Sequence, residues 1–140
     1  MTMEKNALLT FLVVLLACTS NNNTMKHPLD KSQVRTLVLK NKLKVYLLSD
    51  PNFNFSAASM AVEVGHLDNP DNRLGLAHFL EHMLFLGTEK FPDVDEYKSY
   101  LKNNGGYSNA YTTTDLTNYQ FQVLPSAFEG ALDRFSQFFC

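Results

Sequence analysis

Strand-period and helix-period patterning alternate along this chain once its first 30 residues are passed. Residues 34–39 and 43–48 are two short apolar-rich runs separated by Lys40, Asn41 and Lys42, which predicts a hairpin. Its turn lacks the Asn-Gly pair such hairpins favour, and Lys42 stands where glycine would fit better. Pro51 and Asn52 break the chain before residues 55–64. There Ala58, Met60, Val62 and Val64 alternate with Ser59, Ala61 and Glu63, giving one apolar face at strand period. Two further strands are predicted over 107–113 and 117–124. In the second, Tyr119, Phe121 and Val123 alternate with Asn118, Gln120 and Gln122.

Three segments carry helical signals instead. Residues 74–86 are apolar on nearly every side, as in a buried helix, with Asp71 or Asn72 placed to cap it and Gly87 to stop it. A second helix is predicted with Pro92 in its first turn, Asp93, Asp95 and Glu96 following, and Gly105 and Gly106 beyond its end. Val94, Tyr97 and Leu101 form its inward stripe. Ser126 and Glu129 form a capping box for a third helix, whose stripe is Phe128, Ala131, Leu132, Phe135, Phe138 and Phe139. That pattern reaches Cys140 with no stop signal, so the chain is expected to be a truncated piece.

Composition narrows the class. At 140 residues and 45% hydrophobic content the chain can fill one modest core. A net charge of −2 without a basic run argues against nucleic-acid binding. Cys18 and Cys140 are too few for a disulfide framework and lie far from the histidines in sequence. Residues 7–17 form an apolar run, short of the roughly 20 residues that span a bilayer but suited to a signal-peptide core. Leu15, Leu16, Ala17 and Cys18 resemble a bacterial lipobox, in which Cys18 is lipidated and becomes the mature N-terminus. Leu16 is a less usual residue there, and simple cleavage of a secretory signal is the alternative. The expected organisation is a signal peptide over 1–17, a polar tether over 18–30 and a folded domain over 31–140. The expected location is the bacterial cell envelope or periplasm, with a lipid anchor at Cys18.

Chemistry concentrates in one place. His78 and His82 are four residues apart and fall on one helix face, one turn above the other, with Glu81 beside them. This is the H-x-x-E-H spacing, in which two imidazoles hold a zinc ion and the carboxylate reaches a water bound to it. With 4 histidines in the chain, chance placement of the pattern is on the order of 0.5%. The bland alternative is a buried helix with two hydrogen-bonded histidines and one paired glutamate. Burying all three costs several kcal/mol unless they are satisfied, which favours the metal reading. Gly75 lies on the same stripe and is read as leaving room for something to approach the metal. His66 lies outside the spacing and is read as an exposed loop residue.

The stretch 75–88 (GLAHFLEHMLFLGT) with Lys90, Phe91 and Pro92 after it resembles the insulinase/pitrilysin family of zinc metallopeptidases. So do the stretches 106–112 (GYSNAYT) and 115–121 (DLTNYQF). The resemblance implies an α+β fold, a largely antiparallel sheet with packed helices, here as an incomplete metallopeptidase-type domain. It implies that His78 and His82 are ligands of Zn2+ and that Glu81 is the general base of a metalloendopeptidase acting on peptides. It implies too that Asn109 and Ala110 lie along a bound peptide, although Asn109 reads equally as strand or turn support. The family's third zinc ligand is a glutamate on a helix that would fall beyond Cys140. Glu89, Glu96 and Glu129 are therefore assigned surface or capping roles. The remaining domains of a full-length enzyme would be partners of this segment, and by itself it is expected to be inactive. The alternative of a different class is a non-catalytic family member serving as a structural or partner subunit.

Overall fold

The computed structural model describes residues 27 and 29–140. The expected signal segment, Cys18 and most of the tether lie outside the described residues, among which no helix is long and apolar enough to cross a membrane.

Two antiparallel sheets form from the five apolar-patterned runs. Strands β1 (Gln33–Val38) and β2 (Lys44–Ser49) pair as the expected hairpin, with Val34 opposite Leu48 and Val38 opposite Lys44. Lys42 in the connecting turn has φ of 70°, the left-handed conformation that an Asn-Gly turn would have supplied without strain. Strands β3 (Ser56–Val62), β4 (Tyr107–Thr112) and β5 (Thr117–Val123) make the second sheet in the order β3-β5-β4, antiparallel throughout. The fold class is α+β, as the sequence led one to expect.

Strand β5 is central, with one face buried and the other partly so. Tyr119, Phe121 and Val123 point into the core at 3%, 2% and 0% exposure, while Asn118 on the other face accepts a hydrogen bond from the Ser59 hydroxyl at 2.8 Å. Helices α1 (Leu76–Met83), α2 (Glu96–Asn103) and α3 (Phe128–Ser136) complete the domain. Tyr97 and Leu101 of α2 and Phe128, Ala131 and Phe135 of α3 close the core with Phe138. The packing is aromatic: the Tyr97 and Phe138 rings meet edge to face at 5.1 Å, as do Phe121 and Phe135. Arg134 ties the helices together. Its guanidinium lies 3.9 Å from the Tyr100 ring centroid and 4.5 Å from that of Phe91, and it pairs with Glu96 at 2.6 Å. At Gly106 the chain enters β4 so close to β5 that an added Cβ would meet the Gln122 carbonyl oxygen at 2.1 Å.

Several helix ends differ from expectation. Helix α2 begins at Glu96, beyond Pro92, because the chain first closes a turn in which the Thr88 N–H donates to the Phe91 carbonyl at 2.9 Å. Val94 is consequently outside the helix and 51% exposed, not part of the inward stripe. The Ser126–Glu129 capping box does not form. Pro125 opens a 3-10 turn over Pro125–Ala127, which draws Ser126 into the turn and leaves Ala127 at the N-cap with no side-chain hydrogen bond. The last turn, Gln137–Phe139, tightens to 3-10 geometry, burying Phe138 and leaving Phe139 at 37% exposure.

Two substitutions test this packing. The Tyr97 hydroxyl is buried with no hydrogen-bond partner, and burial raises its pKa far above the ordinary tyrosine value. Tyr97→Phe removes that uncompensated polar group and is expected to raise unfolding free energy by about 1 kcal/mol in urea titration. Lys42→Gly relieves the left-handed turn and should add about 0.5–1 kcal/mol by the same measurement.

Candidate metal centre

Helix α1 is entered through Gly75, whose φ of 85° turns the chain sharply after the loop. A side chain at Gly75 would meet nothing within 4 Å, so glycine stands there for its backbone angle rather than to clear space beside a metal. Neither Asp71 nor Asn72 caps the helix. Asn69 does so from the preceding loop, its Oδ1 accepting the Ala77 N–H at 2.9 Å. After Met83 the helix loosens, and Gly87, with φ of 109°, redirects the chain as the sequence suggested.

Helical spacing brings the imidazoles together. The Nε2 atoms of His78 and His82 are 3.0 Å apart and their ring centroids 4.7 Å apart. One ligand atom from each of His78, Glu81 and His82 lies within 4.8 Å of the others, the cluster of metal-capable groups found among the described residues. Two nitrogens each about 2.0–2.1 Å from a tetrahedral zinc ion sit about 3.3 Å apart, so the imidazole pair fits such an ion with little adjustment. The histidines are exposed whereas Glu81 is 5% exposed. Burial of the whole trio, expected from the apolar surroundings, thus holds for the carboxylate alone.

The greater part of α1 also faces outward. Phe79 is 61% exposed, and Leu76, Leu80, Met83 and Leu86 are exposed beside it. Only the flank bearing Ala77, Glu81, Leu84 and Phe85 turns toward the sheet. The apolar composition correctly marks surface that prefers to be covered, but nothing among the described residues covers it.

What holds Glu81 was not legible in the sequence. Thr112, at the end of β4, donates its hydroxyl proton to Glu81 Oε2 at 2.7 Å. The Tyr119 hydroxyl has its pKa raised by burial and further by the charge of Glu81. His66 lies in a 3-10 turn, exposed as expected, yet its ring stands edge-on to His78 at 6.4 Å. Spacing within α1 cannot reveal these neighbours, because all three come from other elements. Period-two alternation in β4 hints at Thr112, which shares a face with Ala110.

Asn109 and Ala110 fall on opposite faces of β4. Asn109 is exposed and pairs in register with Gln120, while Ala110 packs against the core opposite Tyr119. Strand β4 is an edge of its sheet. Glu89, Glu96 and Glu129 stand apart from the cluster: Glu96 is paired with Arg134, and the other two are exposed. The capping role expected of Glu129 is absent.

Known proteins share both the sequence and the fold. Residues 44–140 match the family model described as insulinase, peptidase family M16. The chain is 54% identical over 118 residues to the insulin-degrading enzyme of Drosophila melanogaster, a match covering 84% of this chain and 12% of that protein. It is 51% identical over 121 residues to the A-factor-processing enzyme of Saccharomyces cerevisiae, covering 86% of this chain and again 12% of the relative. The crystal structure of pitrilysin superposes with a TM-score of 0.77 at 38% identity, over 81% of this chain and 12% of that one. The chain thus spans about an eighth of the length of these relatives, and over that span it belongs to the insulinase family of peptidases, M16.

Proposed function

We propose that this chain is the part of a zinc metalloendopeptidase that carries two metal ligands and the general base. His78 and His82 would hold the ion through Nε2, and Glu81 would take a proton from the attacking water and return it to the leaving amine. A zinc ion bound there supplies Lewis acidity that polarises a scissile carbonyl and acidifies the water. The observation that carries the reading is the buried carboxylate beside two exposed imidazoles whose Nε2 atoms are 3.0 Å apart. Desolvating a carboxylate costs several kcal/mol, and a charge-assisted hydrogen bond from Thr112 returns about 1.5–3 kcal/mol. A cation next to it offsets the remainder.

The position of β4 at the edge of its sheet among the described residues supports an extended peptide as substrate, held through backbone hydrogen bonds with the exposed Asn109 beside it and Ala110 beneath. The outward apolar face of α1 is assigned to further segments of a longer protein, in keeping with the share of the relatives' length that this chain covers. Such segments would also bring the third zinc ligand. The alternative of a non-catalytic partner subunit gains little from the site, since a scaffold has no use for a buried, oriented carboxylate at Glu81. Export and a lipid on Cys18 remain part of the proposal for the N-terminal segment.

Zinc should bind this chain weakly, with affinity lost on His78→Ala or His82→Ala. Peptide cleavage should be negligible, and EDTA-sensitive turnover of about 1 per second or faster would overturn that expectation. In a longer protein containing this segment, Glu81→Gln should lower kcat by about 10²–10⁴-fold while zinc stoichiometry persists. A scaffold would show no change. Radiolabelled palmitate should enter the protein expressed in a bacterium and fail to enter Cys18→Ser; unchanged labelling removes the anchor at that residue.

A further inference from the structure

The same geometry that makes Glu81 a base also makes it a potential ligand, since its carboxylate lies within 4.8 Å of both imidazoles. About 3.3 Å separates ligand atoms around a tetrahedral zinc ion, so a shift of about 1.5 Å would bring a carboxylate oxygen onto the metal. A carboxylate spent in that way no longer serves as a base. Something must hold it back.

Resting on the peptidase reading above, we infer that Thr112 is the positioning residue that keeps Glu81 off the metal and leaves Oε1 free for proton transfer. The hydroxyl inventory supports it. Thr117, 4% exposed, has one hydroxyl proton and places its Oγ1 2.8 Å from the Val64 carbonyl oxygen, which can only accept. Its proton is therefore committed to Val64. The Thr112 hydroxyl lies 3.3 Å from Thr117 Oγ1 and 2.7 Å from Glu81 Oε2. The shorter contact has the length of a bond to an ionised acceptor, so the Thr112 proton occupies Oε2.

The anchor is rigid because the sheet builds it. Thr112 and Thr117 are directly opposite in the β4–β5 register, and Thr117 is opposite Val62 in the β3–β5 register. Two strand pairings thus fix the hydroxyl chain, and α1 lowers Glu81 onto its end. A base mounted on a helix is oriented by a group on a strand.

The test is a metal titration of this chain and its Thr112→Val, Thr112→Ala and Thr112→Ser variants, each with and without Glu81→Gln. Zinc affinity is read by chelator competition and coordination by the Co2+ absorption spectrum. In the parent and in Thr112→Ser, Glu81→Gln should change zinc affinity by less than about threefold. Thr112→Val and Thr112→Ala, which free the carboxylate, should bind zinc about tenfold more tightly, and Glu81→Gln should erase that gain. A purely structural role predicts lower thermal stability with the same Glu81→Gln effect in every background, and that result overturns the inference. A tenfold loss on Glu81→Gln in the parent identifies Glu81 as a ligand, which overturns the base assignment and this inference with it. A metal-free reading accompanies these: the 13Cδ resonance of Glu81 should move in Thr112→Val and Thr112→Ala and stay in Thr112→Ser. An unmoved resonance also overturns the inference.

Discussion

A carboxylate almost out of water, pressed between a helix and a sheet, sets the terms for everything around it. Glu81 is on the one flank of α1 that turns inward, and the price of its desolvation must be offset by groups that the fold brings from elsewhere. Thr112 supplies a hydrogen bond from β4, and one ligand atom from each of His78 and His82 lies within 4.8 Å of the carboxylate on the other side. Remove that hydrogen bond and the burial of Glu81 becomes a destabilising defect. In the proposed function, a cation beside the imidazoles would add the second support and leave Glu81 a base of fixed orientation.

The rigidity behind that arrangement originates in β5. Because β5 is paired on both sides, its residues set the register of β3 and β4 at once, and the hydroxyls of Thr112 and Thr117 fall opposite each other as a consequence. The inward face of the same strand carries Tyr119, Phe121 and Val123 into the aromatic core shared with α2 and α3. Core packing and site geometry are therefore coupled through one strand: its inner face anchors the fold, and its hydrogen-bonded edges align the site. Arg134, stacked on Tyr100 and Phe91 and paired with Glu96, fixes α2 against α3 beneath that strand.

Helix α1 combines two kinds of surface that a self-sufficient domain would keep apart. Its inner flank holds the Glu81 carboxylate, and its outer flank exposes Phe79, Leu80 and Met83. A continuous apolar face of this kind lowers its free energy by association, and the relatives sharing this segment are about eight times longer than the portion matched. In the proposed function, coverage of that face and completion of a metal's ligand set would be two results of one packing event.

Local pattern was enough for much of this. Alternation along 55–64 and 117–124 marked strands, and Lys42 was recognisable as a residue in a glycine's place. The two imidazoles could be put on one face because helical geometry is set by sequence spacing alone. Caps and element starts were less legible: Asn69 displaced Asp71 and Asn72, and Pro125 displaced the Ser126 box, since competing local hydrogen bonds differ by only about 1 kcal/mol. The chain by itself determined which side chains share a helix turn or a strand face. Which flank of α1 is buried, how exposed His78 and His82 are, and that Thr112 meets Glu81 were decided by tertiary structure alone. Those outcomes depend on contacts between segments some 30 residues apart, and no local period encodes the depth at which two elements come to rest against each other.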